Sequence, residues 1–68
     1  MFMPYKVKQA IKLIESHGWY LFDTRGSHRQ FKHRVIAGRV TIAGKASDDL
    51  SIGTYKSILR QAKIEEND

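Results

Sequence analysis

Apolar and polar positions follow two different periods along this chain, and the change from one to the other marks its elements. Between Pro4 and His17, Val7, Ala10, Ile11 and Ile14 recur at helical spacing and leave Lys6, Lys8, Lys12 and Glu15 for the wet faces. This predicts a first helix over residues 4–17, with Pro4 suited to its first turn and Gly18 placed where a left-handed cap residue is usual. His17, in the last turn, reads as structural. After Gly18 the period shortens to two. Trp19–Thr24, Arg29–Val35 and Arg39–Ala43 read as three short strands, with Gly26 and Gly38 marking the connections of an antiparallel meander. Alternation in the second strand sends Phe31, His33 and Val35 to one face and His28, Gln30, Lys32 and Arg34 to the other. In the third, Val40 and Ile42 are buried while Arg39 and Thr41 face outward. Trp19 to Phe22 is apolar on both faces, so alternation leaves its register open. The helical period then returns at Ile52, Tyr55, Ile58, Leu59 and Ala62, with Ser51 as N-cap and Asp48 and Asp49 placed to complement the helix dipole.

The predicted order is helix, three-stranded antiparallel sheet, helix, an α+β fold. Each helix carries one apolar stripe, and the only large surface able to cover both is one face of the sheet. The opposite face is then left open, and it carries His28, Gln30, Lys32, Arg39 and Thr41. Residues 1–68 read as a single domain with an acidic, disordered tail at 65–68. A chain this short buries only about 60% of the surface its unfolded form exposes, so modest stability is expected.

Charge sharpens the picture of the open face. The chain carries +5, with a pI of about 9.8, but Glu65, Glu66 and Asp68 hold three of its seven acids. Residues 1–64 therefore set twelve cations against four acids, a body of +8. From Arg25 to Lys45 there are six cations (Arg25, Arg29, Lys32, Arg34, Arg39, Lys45), two histidines and no acid. A block of this kind attracts polyanions, nucleic acid foremost. The absence of Cys removes disulfides, thiolate zinc sites and thiol chemistry. No run reaches signal-peptide or membrane-spanning length, which predicts a soluble, cytoplasmic protein. His17, His28 and His33 lack the spacing of zinc ligands and no phosphate loop is present, so neither a metal nor a cofactor is expected.

What remains is a histidine on an open cationic strand, preceded by Gly26 and Ser27. Imidazole, with an ordinary pKa of about 6.5, can take a proton from a ribose 2′ hydroxyl at neutral pH while nearby cations stabilise charge on the phosphate. Gly26 permits a tight turn and close backbone approach to phosphate, and Ser27 has a hydroxyl to donate.

The run Gly18, Trp19, then Thr24 through His33 with Gly26, Ser27 and His28 at its centre, continuing through Gly38 to Ile42 and on to Gly53, Thr54, Ser57, Ile58 and Leu59, resembles the HicA family of mRNA interferase toxins. The likeness extends from the first helix to Ile64. It implies a fold in the style of a double-stranded RNA-binding domain, cleavage of mRNA through His28, and a cognate HicB antitoxin that covers that histidine. A cationic toxin meeting a more acidic antitoxin fits the charge balance. The chain departs from the family pattern at three places: Asp23 where Arg is common, Arg34 where Pro is common, and Lys45 where a second His is common. The resemblance thus leaves the chemistry on His28 alone.

The expected function is that of a metal-independent endoribonuclease toxin that inhibits translation. His28 would be the general base, and Arg25, Gly26, Ser27, Arg29, Gln30, Lys32, Arg39 and Lys45 would hold the RNA. Two other readings share these residues: a non-catalytic module recognising A-form RNA by shape, and a protein-interaction domain serving an acidic partner.

Overall fold

A computed structural model describes residues 5–65. The first described element pairs with one late in the chain: β1 (Tyr5–Lys6) runs antiparallel to β5 (Asp49–Leu50), joining Tyr5 to Leu50 and Lys6 to Asp49. Between them run α1 (Val7–Ser16), β2 (Tyr20–Arg25), β3 (His28–Lys32) and β4 (Val40–Ala43), and α2 (Ile52–Gln61) follows β5. The main sheet has the order β2-β3-β4, all antiparallel, as the meander predicted.

The first helix begins three residues later than its apolar spacing suggests. Tyr5 and Lys6 are extended, Lys6 donates its N–H to the Gln9 side chain (2.8 Å), and the amides of Val7 and Lys8 bond the carbonyls of Asp48 and Ala46. The loop before β5 thus satisfies the first orphan donors of α1, a service usually performed by a capping side chain. Pro4 lies outside the described residues, as do residues 66–68 of the acidic tail. Asp48 and Asp49 act differently from the expected dipole partners of α2: the Asp48 carboxylate accepts from Lys45 N–H (2.9 Å) and Asp49 pairs with Lys6 (2.7 Å). Ser51 is the N-cap of α2, its hydroxyl accepting from Thr54 N–H at 3.2 Å.

Val7, Ala10 and Ile14 of α1, Tyr55, Ile58 and Leu59 of α2, and Phe31, Val40 and Ile42 of the sheet form one core. Phe31 lies directly opposite Val40, which puts the inward residues of β3 and β4 on one face, as alternation required. Tyr5 stacks on Tyr55 with ring centroids 3.8 Å apart, fastening the short ribbon to α2. Gln61, at the end of α2, accepts the outward N–H of Thr41 (3.2 Å) and so covers part of the free margin of β4. Ile52, placed in the apolar stripe by its spacing, stands exposed at the first turn of α2.

All three strands of the main sheet differ from their predicted extent, β4 only by starting at Val40 in place of Arg39. Trp19 precedes β2 and is buried in the core, where its indole N–H donates to the Ala62 carbonyl at 3.2 Å. β3 stops at Lys32, so His33 and Val35 do not continue the inward face of Phe31. Val35 is 86% exposed, and His33 bends back across the end of α1. One His33 ring nitrogen, Nε2, lies 2.9 Å from the His17 carbonyl, and the other, Nδ1, accepts from the amides of Val35 and Ile36. Since Nδ1 is the acceptor, Nε2 carries the proton and donates it to His17. The ring also meets Trp19 edge-on, with centroids 5.2 Å apart. A bend fixed by four such contacts is invisible to alternation, which sees only neighbours in sequence.

Candidate nucleic-acid interface

The site is built on a two-residue hairpin. Arg25 and His28 are the last and first paired residues of β2 and β3, so Gly26 and Ser27 alone make the turn. Gly26 has φ +59° and Ser27 is not in the left-handed region, the pattern of a type II′ loop that places glycine first. An added Cβ at Gly26 would meet nothing within 4 Å, so glycine is required there by the backbone angle alone. The Ser27 carbonyl accepts from Gly44 N–H (3.1 Å), which docks the exit of β4 against the hairpin. Lys45 is the next residue and is exposed.

Register decides what shares the open face. His28 pairs with Arg25 on one side and Ala43 on the other; Gln30 pairs with Asp23 and Thr41; Lys32 pairs with Tyr20. Residues directly opposite in an antiparallel sheet point to the same side. Hence Tyr20, Asp23, Arg25, His28, Gln30, Lys32, Thr41 and Ala43 form one surface, away from the helices. His28 is exposed on it, and among the described residues its ring has no hydrogen-bond partner. Arg39, just before β4, donates from Nη1 to the Gln30 amide oxygen at 2.9 Å. The Arg25 side chain is largely exposed and its Nε contacts Asp23 at 3.2 Å. Lys32 and Arg39 have no carboxylate partner among the described residues.

Arg29 stands apart from this group. It pairs with Ile42 and Thr24, on the side that faces the helices, and its Nη1 donates to the Gly44 carbonyl at 2.8 Å. The bond ties the end of β4 to β3 one residue from His28, a positioning arrangement on the face opposite the exposed imidazole. Arg34, beyond the end of β3, is exposed but off the strand.

Sequence reasoning left one feature of the face undetermined. β2 carries a bulge between Leu21, opposite Phe31, and Asp23, opposite Gln30. The extra residue is Phe22, and its ring lies under two cations of the open face: Lys32 Nζ is 4.6 Å and Arg39 Cζ 5.4 Å from its centroid. A bulge re-aims side chains in this way. Only the apolar character of Trp19 to Phe22 on both faces hinted that this segment would not alternate simply.

His17 and His33 are joined through the ring-to-carbonyl bond at the far end of the sheet, while His28 stands at the hairpin. Among the described residues no three His, Cys, Asp or Glu side chains converge into a group able to hold a metal ion. No described helix is long and apolar enough to cross a membrane. An exposed imidazole on a face that also carries Arg25, Lys32 and Arg39 suits a polyanion that brings its own proton donor.

Comparison with protein families matches residues 7–64 to the HicA toxin of bacterial toxin–antitoxin systems. A search of curated proteins finds no match to the chain. The match runs from the first residue of α1 to the turn after α2 and includes every element of the main sheet, so the chain belongs to the HicA toxin family.

Proposed function

We propose that this toxin is an endoribonuclease that cuts mRNA, with His28 as general base, and that a cognate HicB-like antitoxin silences it by covering the open face. The observation that carries the reading is the position of His28: exposed at the hairpin end of β3, on the same surface as Gln30, Lys32, Arg25 and Arg39. In the proposed step the His28 imidazole removes the proton of a ribose 2′ hydroxyl. The freed oxygen attacks the adjacent phosphorus, the O2′–P bond forms, and the P–O5′ bond breaks. The leaving 5′ oxygen takes a proton from water. Lys32, Arg39 and Lys45 oppose the charge that builds on the phosphate oxygens, while Gly26 and Ser27 let the strand approach the hairpin backbone. Arg29 holds the β4 exit in place from behind. Among the described residues no carboxylate orients the His28 ring, so the base supplies its ordinary share of the acceleration, about 10²–10⁴-fold.

Expression of wild type without antitoxin is expected to arrest growth, and His28→Ala to abolish the arrest. Purified wild type is expected to leave 2′,3′-cyclic phosphate ends on RNA. His28→Ala is expected to cut about 10²–10⁴-fold more slowly while binding RNA with unchanged salt dependence. Equal toxicity of the two proteins removes His28 from the mechanism. Wild type that binds RNA in a salt-dependent way and never shortens it makes the protein a binding module, not a nuclease.

A further inference from the structure

We infer that Phe22 is a stacking platform for one unpaired base of the RNA strand, next to the phosphate that is cut, and that the substrate is therefore single-stranded at that point. The inference rests on the RNA-cutting reading above and adds a binding subsite to it.

Three successive residues of β2, Tyr20, Leu21 and Phe22, are each about half exposed, with Phe22 at 50%. Scattered exposed apolar residues are ordinary, but a contiguous run on an outer strand is a liability that folds usually cover or blunt. Here the bulge adds an aromatic ring to the face that already bears His28. Phe22 falls between the levels of Phe31 and Gln30, two to three residues along from His28, on the order of 7–10 Å at the rise of a strand. That separation suits a neighbouring nucleotide, not the one whose 2′ hydroxyl reacts.

The surroundings of the ring fit a base and its phosphate together. Lys32 and Arg39 are drawn to the Phe22 face with no carboxylate to hold them among the described residues, a loose tether at an exposed site. A phosphate offers both cations a stronger partner, and their departure uncovers the ring. Gln30, already aligned by Arg39 at 2.9 Å, supplies an amide able to donate to and accept from a base edge. Tyr20, opposite Lys32, extends the aromatic surface. Aromatic rings interleaved with cations on an open sheet are the pattern that binds splayed bases of single strands. A base still inside a duplex has no face to offer Phe22.

The test uses the full chain, a single-stranded RNA carrying 2-aminopurine at successive positions, and the same RNA annealed to its complement. Bound to His28→Ala, the fluorophore is expected to be quenched at one position of the single strand and at none in the duplex. Wild type is expected to cut the single strand in preference to the duplex. Phe22→Leu, which keeps apolar bulk without a π face, is expected to lose roughly 5- to 150-fold in kcat/KM with unchanged melting temperature, and Phe22→Trp to restore it. Equal cutting by Phe22→Leu and wild type overturns the platform and leaves the nuclease standing. So does RNA binding without quenching at any position, or loss by Phe22→Leu of antitoxin binding alone, which makes the ring part of a protein interface. Absence of cutting by wild type, with quenching intact, instead overturns the nuclease reading and keeps the platform as a binding subsite.

Discussion

Gly18→Ala tests the packing that fixes where β2 begins. Gly18 has φ +94°, and a Cβ added there would stand 2.7 Å from His33 Nε2 and 3.2 Å from its Cδ2. Gly38 offers an internal control: its φ is +95°, nearly the same, yet its added Cβ would meet nothing within 4 Å. Both alanine substitutions incur the left-handed backbone strain, about 1–2 kcal/mol. Only Gly18→Ala must also push aside the imidazole that donates to the His17 carbonyl, accepts from Val35 and Ile36, and meets Trp19 edge-on. Loss of one such hydrogen bond, about 0.5–1.5 kcal/mol, and of part of the aromatic contact brings the expected cost of Gly18→Ala to about 2–4 kcal/mol. That is a large fraction of the roughly 3–10 kcal/mol expected for a domain of this length. The assay is urea unfolding followed by the fluorescence of the lone tryptophan, Trp19, whose burial makes it a direct reporter. Gly38→Ala is expected to cost about 1–2 kcal/mol, and Gly18→Ala introduced beside His33→Ala should cost no more than that control. Equal destabilisation by the two substitutions in the wild-type background would refute the argument, because the imidazole would then be yielding freely.

Further substitutions separate the roles of the cations. Lys32→Ala is expected to weaken RNA binding and reduce the salt slope by roughly 0.7 for a single strand, with stability unchanged; salt titration of binding checks this. Arg29→Ala removes the Gly44 tether, so it is expected to lower the melting temperature and the cutting rate while leaving the salt slope alone. Asp23→Asn deletes a carboxylate from the open face and frees Arg25, and is expected to tighten RNA binding several-fold with stability within about 0.5 kcal/mol of wild type.

Much of the fold was legible because strong periodic signals carried it. The inward set Phe31, Val40 and Ile42, the Ser51 cap and the left-handed Gly18 each follow from a local rule, and each holds in the structure. The ribbon of β1 and β5 was not legible, since two residues per strand carry no period and Asp49 resembles a helix-start acid. The end of β3 escaped as well, because the His33 bend depends on a carbonyl sixteen residues earlier in the chain. For the candidate site, alternation placed His28, Gln30 and Lys32 together. The same alternation implies that Arg29 lies on the Phe31 side, a consequence that charge counting overlooks when it groups Arg29 with the RNA-holding cations. The bulge that aims Phe22 needed the pairing on both of its sides before it could be seen.

The hold of Gln61 on Thr41 N–H makes the two margins of the main sheet unequal. β4, only four residues long, has one of its outward donors already occupied, whereas β2 runs for six residues on the other side. An approaching strand would therefore find more free backbone along β2 than along β4, one of whose donors is taken. One glutamine at the end of a helix thus makes β2 the more available edge of the sheet.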